Sequence, residues 1–448
     1  MNSKTKFSIG NLDIGGDAPV IVQSMTNTNT LDVEASVAQC KRMIDNGAQM
    51  VRLTVPSLKE VESMRQIKNR LRTEGILTPI VADVHFNPKV AESMASIVEK
   101  VRVNPGNYVD KRNFSQIDLT DAEYAAAIER MAKRAEPLFA ISKQHDTAIR
   151  LGINHGSLCD RIVSRYGNTP NAMVQSALEW IDICNYYDFH KVVISMKSSN
   201  VQTMMEATIL LKEEMEKRNC SYPLHIGVTE AGGGLEGRVK SAAGTGALLL
   251  MGVGDTIRVS LTESPENESP FAHKLIQAIQ NPSQGHFLKE DTLYFTSNEP
   301  DFELWMSQAS ALAGYYYYRH HIRDIKLQNP HFDESQIKNL ESTILQACRI
   351  RMSKTEFVSC PSCGRTQYDI QSVLASVKER FSNYPGLKIG VMGCIVNGPG
   401  EMADADFGIV GASHGLVCVY KGKQRLSVAV PIEKAMDQLD ELVREYKQ

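Results

Sequence analysis

The sequence predicts an α/β protein: a (β/α)8 barrel followed by a smaller α/β domain. Three observations carry that expectation. Short β-branched or apolar runs alternate with amphipathic helical stretches eight times between residues 18 and 262. Polar and charged side chains collect at the carboxyl end of one run after another. The alternation then breaks near residue 265, and a second, shorter one begins after Phe357.

The candidate strands are Ala18–Met25, Ala48–Val55, Pro79–His85, Lys100–Pro105, Thr147–Asn154, Lys191–Lys197, Leu224–Glu230 and Thr256–Thr262. Strands separated by helices imply a parallel sheet, because parallel neighbours need a crossover. Eight such units fit a closed barrel; an open doubly wound sheet is the runner-up. Ser57-Leu58-Lys59-Glu60 reads as a capping box, with Leu58, Val61, Met64, Ile67 and Leu71 as the apolar stripe behind it. Thr169-Pro170 opens a helix running through Trp180 and Ile183. Residues 265–355 break the pattern and read as two or three helices, among them the run Tyr315-Tyr316-Tyr317-Tyr318, more in keeping with a buried or interface helix than with a cofactor box. In the last part, Asp369–Arg380 reads as a helix, Leu387–Met392 and Asp406–Gly411 as strands. Leu416–Lys421 and Arg425–Val430 read as a hairpin, and Pro431–Tyr446 as a closing helix. The domain expectation is therefore a barrel over 1–264, a helical insert or linker over 265–355, and a small α/β domain over 356–448.

Composition narrows the function. The chain has 448 residues with 49 Lys+Arg against 52 Asp+Glu, a formal charge of −3, so a polyanionic partner such as nucleic acid finds no global basic field. Nine cysteines at irregular spacing do not form a disulfide framework. No apolar run approaches membrane-spanning length, and no signal peptide is visible at the start. The expectation is a cytosolic protein whose reduced thiols can bind metal.

At the predicted strand ends stand Gln23, Asn27, Arg52, Asp83, His85, Arg102, Asn104, Arg150, Asn154, Lys197, Glu230, Arg258 and Ser260. Active sites of such barrels form at that face. Each residue alone has a plain reading: a solvated loop arginine, a structural histidine, an aspartate orienting a neighbour. Recurrence changes the balance, because four arginines and a lysine in one mouth repel one another until a compact anion such as a diphosphate enters. Gly232-Gly233-Gly234-Leu235-Glu236-Gly237 satisfies G-x-G-x-x-G, but it follows the seventh candidate strand instead of opening a βαβ unit. A dinucleotide role is rejected, and a minor phosphate contact is kept.

The second centre is Cys360-Pro361-Ser362-Cys363 with Gly393-Cys394 and Glu401. Its spacing suits zinc or an iron–sulfur cluster. Cys418 as a fourth thiolate would make it a structural zinc site, and Glu401 can also be an ordinary loop acid.

Taken together, Val22-Gln23-Ser24-Met25-Thr26, Val81-Ala82-Asp83-Val84-His85, Arg102-Val103-Asn104-Pro105-Gly106-Asn107, Thr229-Glu230-Ala231-Gly232, Cys360-Pro361-Ser362-Cys363 and Gly393-Cys394-Ile395-Val396-Asn397-Gly398-Pro399-Gly400-Glu401 resemble the 4-hydroxy-3-methylbut-2-enyl diphosphate synthase family of the methylerythritol phosphate route to isoprenoids. The resemblance covers 18–262 and 357–448. It implies a TIM barrel plus a C-terminal α/β domain carrying a [4Fe–4S] cluster on Cys360, Cys363, Cys394 and Glu401, with Cys418 left as a core thiol. It implies that Arg52, His85, Arg102, Arg150, Asn154, Lys197, Arg258 and Ser260 bind a cyclic diphosphate, and that Glu230, His85, Asn397 and Glu401 serve the chemistry. The implied reaction is reductive ring opening and dehydration of 2-C-methyl-D-erythritol 2,4-cyclodiphosphate, with electrons from ferredoxin or flavodoxin. Family members are homodimers in which one subunit's cluster domain covers the other's barrel. Compact members join the two domains by less chain than 265–355, and longer ones insert a whole domain. Two other readings stand beside this one. One is a zinc-containing barrel lyase or isomerase using Lys197, and the other is an iron–sulfur electron carrier.

Overall fold

In the computed structural model, which describes residues 5–110, 116–281, 285–396 and 398–446, a short hairpin precedes the barrel. Its strands β1 (Phe7–Ile9) and β2 (Leu12–Ile14) turn at Gly10, whose φ of +57° is one that glycine adopts without strain. No alternation long enough to announce this hairpin exists in the sequence.

The eight parallel strands are β3 (Ile21–Met25), β4 (Met50–Thr54), β5 (Ile80–Asp83), β6 (Lys100–Val103), β7 (Ala148–Asn154), β8 (Val192–Lys197), β9 (His225–Ile226) and β10 (Thr256–Ile257). Their order is β8-β7-β6-β5-β4-β3-β10-β9, and a parallel bridge from Ile194 to Leu224 brings β8 back to the β9 segment. The sheet thus forms the expected barrel, not the open alternative. Ile9 and Ile14 of the hairpin pack with Ile21, Met50, Val81, Ala148 and Val193, at or near the amino ends of their strands, and make an apolar floor. The last two strands are far shorter than expected, because the chain leaves regular geometry at Gly227 (φ +152°) before it reaches Glu230.

Helix starts follow the local chemistry. Thr169 caps Pro170–Tyr186 through Ala172 N–H. Ser57 N–H donates to Glu60 as the capping box requires, but the helix begins at Glu60, which leaves Leu58 exposed instead of on the stripe.

By internal contacts the chain divides into two units. The first is Met1–Lys197, Thr203–Ile226 and Val253–Arg258, and the second is Ser198–Gln202, Gly227–Gly252 and Val259–Gln448. The barrel sheet lies wholly in the first. In the second, residues 265–355 contain helices Glu268–Gln280, Phe302–His320 and Glu334–Ala347. They also contain a three-stranded sheet of β11 (His286–Lys289), β12 (Thr292–Thr296) and β13 (Asp324–Gln328) that the sequence reading did not anticipate. Tyr315–Tyr318 are half-buried on the middle helix.

The C-terminal sheet runs β14 (Glu356–Ser359), β15 (Lys388–Met392), β16 (Phe407–Ser413), β17 (Leu416–Lys421) and β18 (Gln424–Arg425), with β19 (Val430–Pro431) also on β17. β14, β15 and β16 are parallel; β17 is antiparallel to β16. Helices Ile370–Phe381 and Ile432–Tyr446 cover one face of this sheet through Val373, Val377, Phe381, Leu439 and Val443. Among the described residues, no helix is long and apolar enough to cross a membrane.

Candidate active site

Side chains alternate along a strand, so residues two apart share a face. Lys100, Arg102 and Asn104 therefore point one way from β6, and Ala148, Arg150, Gly152 and Asn154 one way from β7. Register makes Arg102 and Arg150 direct neighbours, with Asp83 beside Arg102 on the other side. All three are buried.

Arg102 is the hub. Its Nη1 donates to Asp83 at 3.3 Å and approaches His85 Nδ1 at 2.8 Å, while Nη2 donates to the Gly152 carbonyl at 3.1 Å. The Asn104 and Asn107 Nδ2 atoms lie 3.1 and 3.3 Å from His85 Nε2, so the imidazole is held between donors at both ring nitrogens. Asn104 and Asn154 each cap a short turn, accepting from Gly106 and Gly156 N–H. Arg52 and Arg258 converge on Met25, whose sulfur accepts from Arg52 at 2.7 and 3.0 Å and from Arg258 at 3.5 Å. Arg150 is held differently. Burial first, then repulsion from Arg52, Arg102 and Arg258, pull its guanidinium well below its ordinary pKa, with Asp83 opposing. Its Nε and Nη1 have no hydrogen-bond partner. Lys197 is buried at the end of β8, in register with Asn154.

Arg150 thus keeps donors that nothing in the protein accepts, and a multiply charged anion among these cations would take them. Met25 and Gly152 were missed as site residues. Their signal, a sulfur between two arginines and a clearance beside a third, exists only in three dimensions. A Cβ at Gly152 would sit 2.3 Å from Arg102 Nε. Gly152→Ala is therefore expected to displace Arg102, lower kcat/KM about 10- to 100-fold and lower the melting temperature as the Arg102–Asp83 pair is disturbed. Unchanged kinetics would show that Arg102 has room to spare.

The rest of the predicted set lies in the second unit. Glu230 is buried and takes a left-handed backbone (φ +50°), rare for a residue with a side chain. The next residue, Ala231, forms a parallel bridge with Ser359, and Thr262 Oγ1 lies 3.2 Å from Ser359 O and 3.3 Å from Cys360 O. Lys240 and Glu356 form a buried pair at 2.9 Å; with Arg349 added, the carboxyl is held down to about 2 against the effect of burial. Ser260 is buried two residues before Thr262. The minor phosphate role read at Gly232–Gly237 is taken by a side chain of the chain itself, since Gly234 N–H donates to Glu263 at 2.8 Å.

Cys360 follows β14 and Cys394 follows β15, so the parallel pair carries both thiols to the same edge of the sheet. The loops interlock. Gly393 N–H donates to Cys360 Sγ at 3.1 Å, Thr366 Oγ1 accepts from Cys363 N–H, and Gln367 N–H donates to Gly393 O. Burial, then Cys394, Glu230 and Cys363, push the Cys360 thiol well up, and burial with Cys360 and Cys394 does the same to Tyr368. Three thiols beside buried acids form a donor set that a cationic centre would stabilise. Among the described residues no three His, Cys, Asp or Glu side chains are grouped closely enough to hold a metal ion. Glu401 ends the short helix Gly398–Glu401 and is buried, and Asn397 lies outside the described residues. Cys418 is a core thiol among Val358, Met392, Met402 and Val410.

Residues 4–273 match the GcpE TIM-barrel domain and residues 356–445 the GcpE protein C-terminal domain. A protein of Phocaeicola vulgatus named 4-hydroxy-3-methylbut-2-en-1-yl diphosphate synthase (flavodoxin) is 38% identical over 595 aligned positions, covering 98% of this chain and 97% of that protein. Those positions outnumber the 448 residues here, so that relative carries stretches this chain lacks. A protein of Picosynechococcus sp. with the same name but marked ferredoxin is 41% identical over 438 residues, 97% of this chain and 91% of it. Among solved structures, 3-dehydroquinate dehydratase from Geobacillus kaustophilus aligns at 12% identity and TM-score 0.41, over 62% of this chain and 96% of that one.

Proposed function

The chain belongs to the GcpE family of 4-hydroxy-3-methylbut-2-en-1-yl diphosphate synthases, and on that premise we propose how its own residues divide the work. The reaction is the reductive ring opening and dehydration of 2-C-methyl-D-erythritol 2,4-cyclodiphosphate, an oxidoreductase step of isoprenoid synthesis. The electrons come from flavodoxin or ferredoxin, the donors in its relatives' names.

Arg52, Arg102, Arg150, Lys197 and Arg258 grip the two phosphates of the ring, with Asn154 and Ser260 completing the seat. Paired arginine forks suit phosphate oxygens, and their charge stabilises the oxyanion that forms as the ring C–O bond breaks. His85, oriented by Arg102, Asn104 and Asn107, lines the seat. Glu230 holds or moves a proton at its carboxylate near the departing hydroxyl. Cys360, Cys363, Cys394 and Glu401 would hold a [4Fe–4S] cluster. When bound, that cluster supplies the two electrons and an iron able to accept an oxygen ligand. Glu401, an oxygen donor among sulfurs, is the ligand that yields most easily. Asn397 keeps a place in this reading through the resemblance alone.

The observation that carries the assignment is the side-by-side burial of Arg102 and Arg150 in a cup with so few acceptors. A cytosolic homodimer belongs to the same reading, and the bridge from Ala231 to Ser359 supports a Glu230–Cys360 neighbourhood built within one chain. The test is anaerobic purification followed by iron and sulfide analysis, a visible spectrum, and turnover of the cyclic diphosphate with reduced flavodoxin or ferredoxin. Iron-free protein, or iron without turnover, overturns the reading.

A further inference from the structure

Beneath the arginines lies one more cation. Lys100 opens β6, shares the face of Arg102, and is 0% exposed; its Nζ has no hydrogen-bond partner. Its register neighbours, Val81 and Ala148, belong to the apolar floor. An ammonium in that place lacks both water and a hydrogen-bonded acceptor, the nearby Asp83 being engaged by Arg102, and a buried lysine meets this by giving up its proton. Burial first, then Arg150 and Arg52, lower its pKa well below the ordinary value.

The charged groups facing it come from every strand that carries one. They are Arg52 on β4, Asp83 on β5, Arg102 on its own strand, Arg150 on β7, Lys197 on β8, His225 on β9 and Arg258 immediately after β10. Gln23 and Met25 face it from β3 without charge. His225 is itself kept neutral by burial and by Lys197, Arg150, Lys100 and Arg52, and its Nδ1 is 2.7 Å from Thr256 Oγ1.

Resting on the diphosphate reading of the mouth, we propose that Lys100 is a positioning residue that holds a proton only while the cyclic diphosphate fills the cup. Entry of the anion brings the counter-charge that the lysine lacks. The neutral amine then takes a proton from solvent and becomes an ammonium, and the full positive charge is assembled on the ligand instead of being carried in the empty enzyme. Each phosphorus of the ring bears one strongly acidic oxygen, so the ligand does not itself titrate near neutrality. The sign follows. A group whose pKa rises on binding takes up a proton, so affinity is greatest below its free-state pKa and falls as pH climbs toward its bound-state pKa.

The experiment is calorimetric titration of the oxidised, cluster-bearing enzyme with the cyclic diphosphate, without reductant, in two buffers of different ionisation enthalpy. Wild type should take up about one proton per ligand bound at a pH between the free-state and bound-state pKa of Lys100, with affinity falling up to about tenfold per pH unit across that span. Lys100→Met should bind roughly tenfold more weakly with that uptake lost. Lys100→Arg, always charged, should bind without uptake. No uptake and a flat pH dependence in wild type overturn the proposal even if neither variant folds. Equal uptake in Lys100→Met overturns it too, since the proton then goes to His85 or His225. A wild type that binds no cyclic diphosphate removes the diphosphate mouth together with this inference, whereas binding without proton uptake removes the inference alone.

Discussion

Cys394→Ser is expected to lose the iron and, with it, all turnover of the cyclic diphosphate. Cys394 stands one residue beyond Gly393, whose N–H donates to Cys360 Sγ, so one short loop governs two of the three thiols. A serine oxygen is a harder and far less acidic donor than a thiolate and does not hold a site built for sulfur. The control lies in the same domain. Cys418 is packed among Val358, Met392 and Val410, so Cys418→Ala should keep its iron and cost only about 1 to 2 kcal/mol in stability. Iron, sulfide and the visible spectrum are measured for both, with circular dichroism to show that each is folded. Full iron in Cys394→Ser, or loss of iron in Cys418→Ala, would mean that the ligand set is wrong.

The second large effect belongs to Arg102→Met, for which kcat/KM should fall by about 10³-fold or more, as when a charge aimed at the developing oxyanion is removed. One side chain holds Asp83, His85 and the Gly152 carbonyl, and its loss also leaves the Asp83 carboxylate short of a partner. The second consequence acts on stability, by about 3 to 5 kcal/mol for a broken buried pair, partly offset because Arg150 loses a repelling neighbour. Arg102→Lys separates the two. It restores the charge but not the fork, so stability should recover further than activity. Steady-state kinetics and thermal melts decide it; kinetics within threefold of wild type for Arg102→Met would take Arg102 out of the substrate's reach.

Much of this was legible before any coordinates. An arginine standing between apolar neighbours near the end of a candidate strand is written in plain sight at Val101-Arg102-Val103 and Ile149-Arg150-Leu151, and a barrel says which end matters. What the sequence hid has physical causes. Lys100 stands at the beginning of its strand, where a lysine is normally solvated, and nothing local reveals that the hairpin floor shuts water out. Glu230 was placed on a strand, yet it lies in a loop with a left-handed backbone, because Gly227 ends the regular geometry early. The strands of the insert were overlooked because they are short and charged. β12 and β13 do alternate buried with exposed, but β11 is exposed throughout and leaves no pattern to read.

The Ala231–Ser359 bridge joins backbone far apart in sequence, and it does so at β14, the outermost strand of the C-terminal sheet. Severed from the preceding chain, residues 356–448 would present that strand as a bare, adhesive rim, with Glu356 deprived of both Lys240 and Arg349. The C-terminal portion is thus no detachable cartridge, and fragments made apart would clump before they could be recombined.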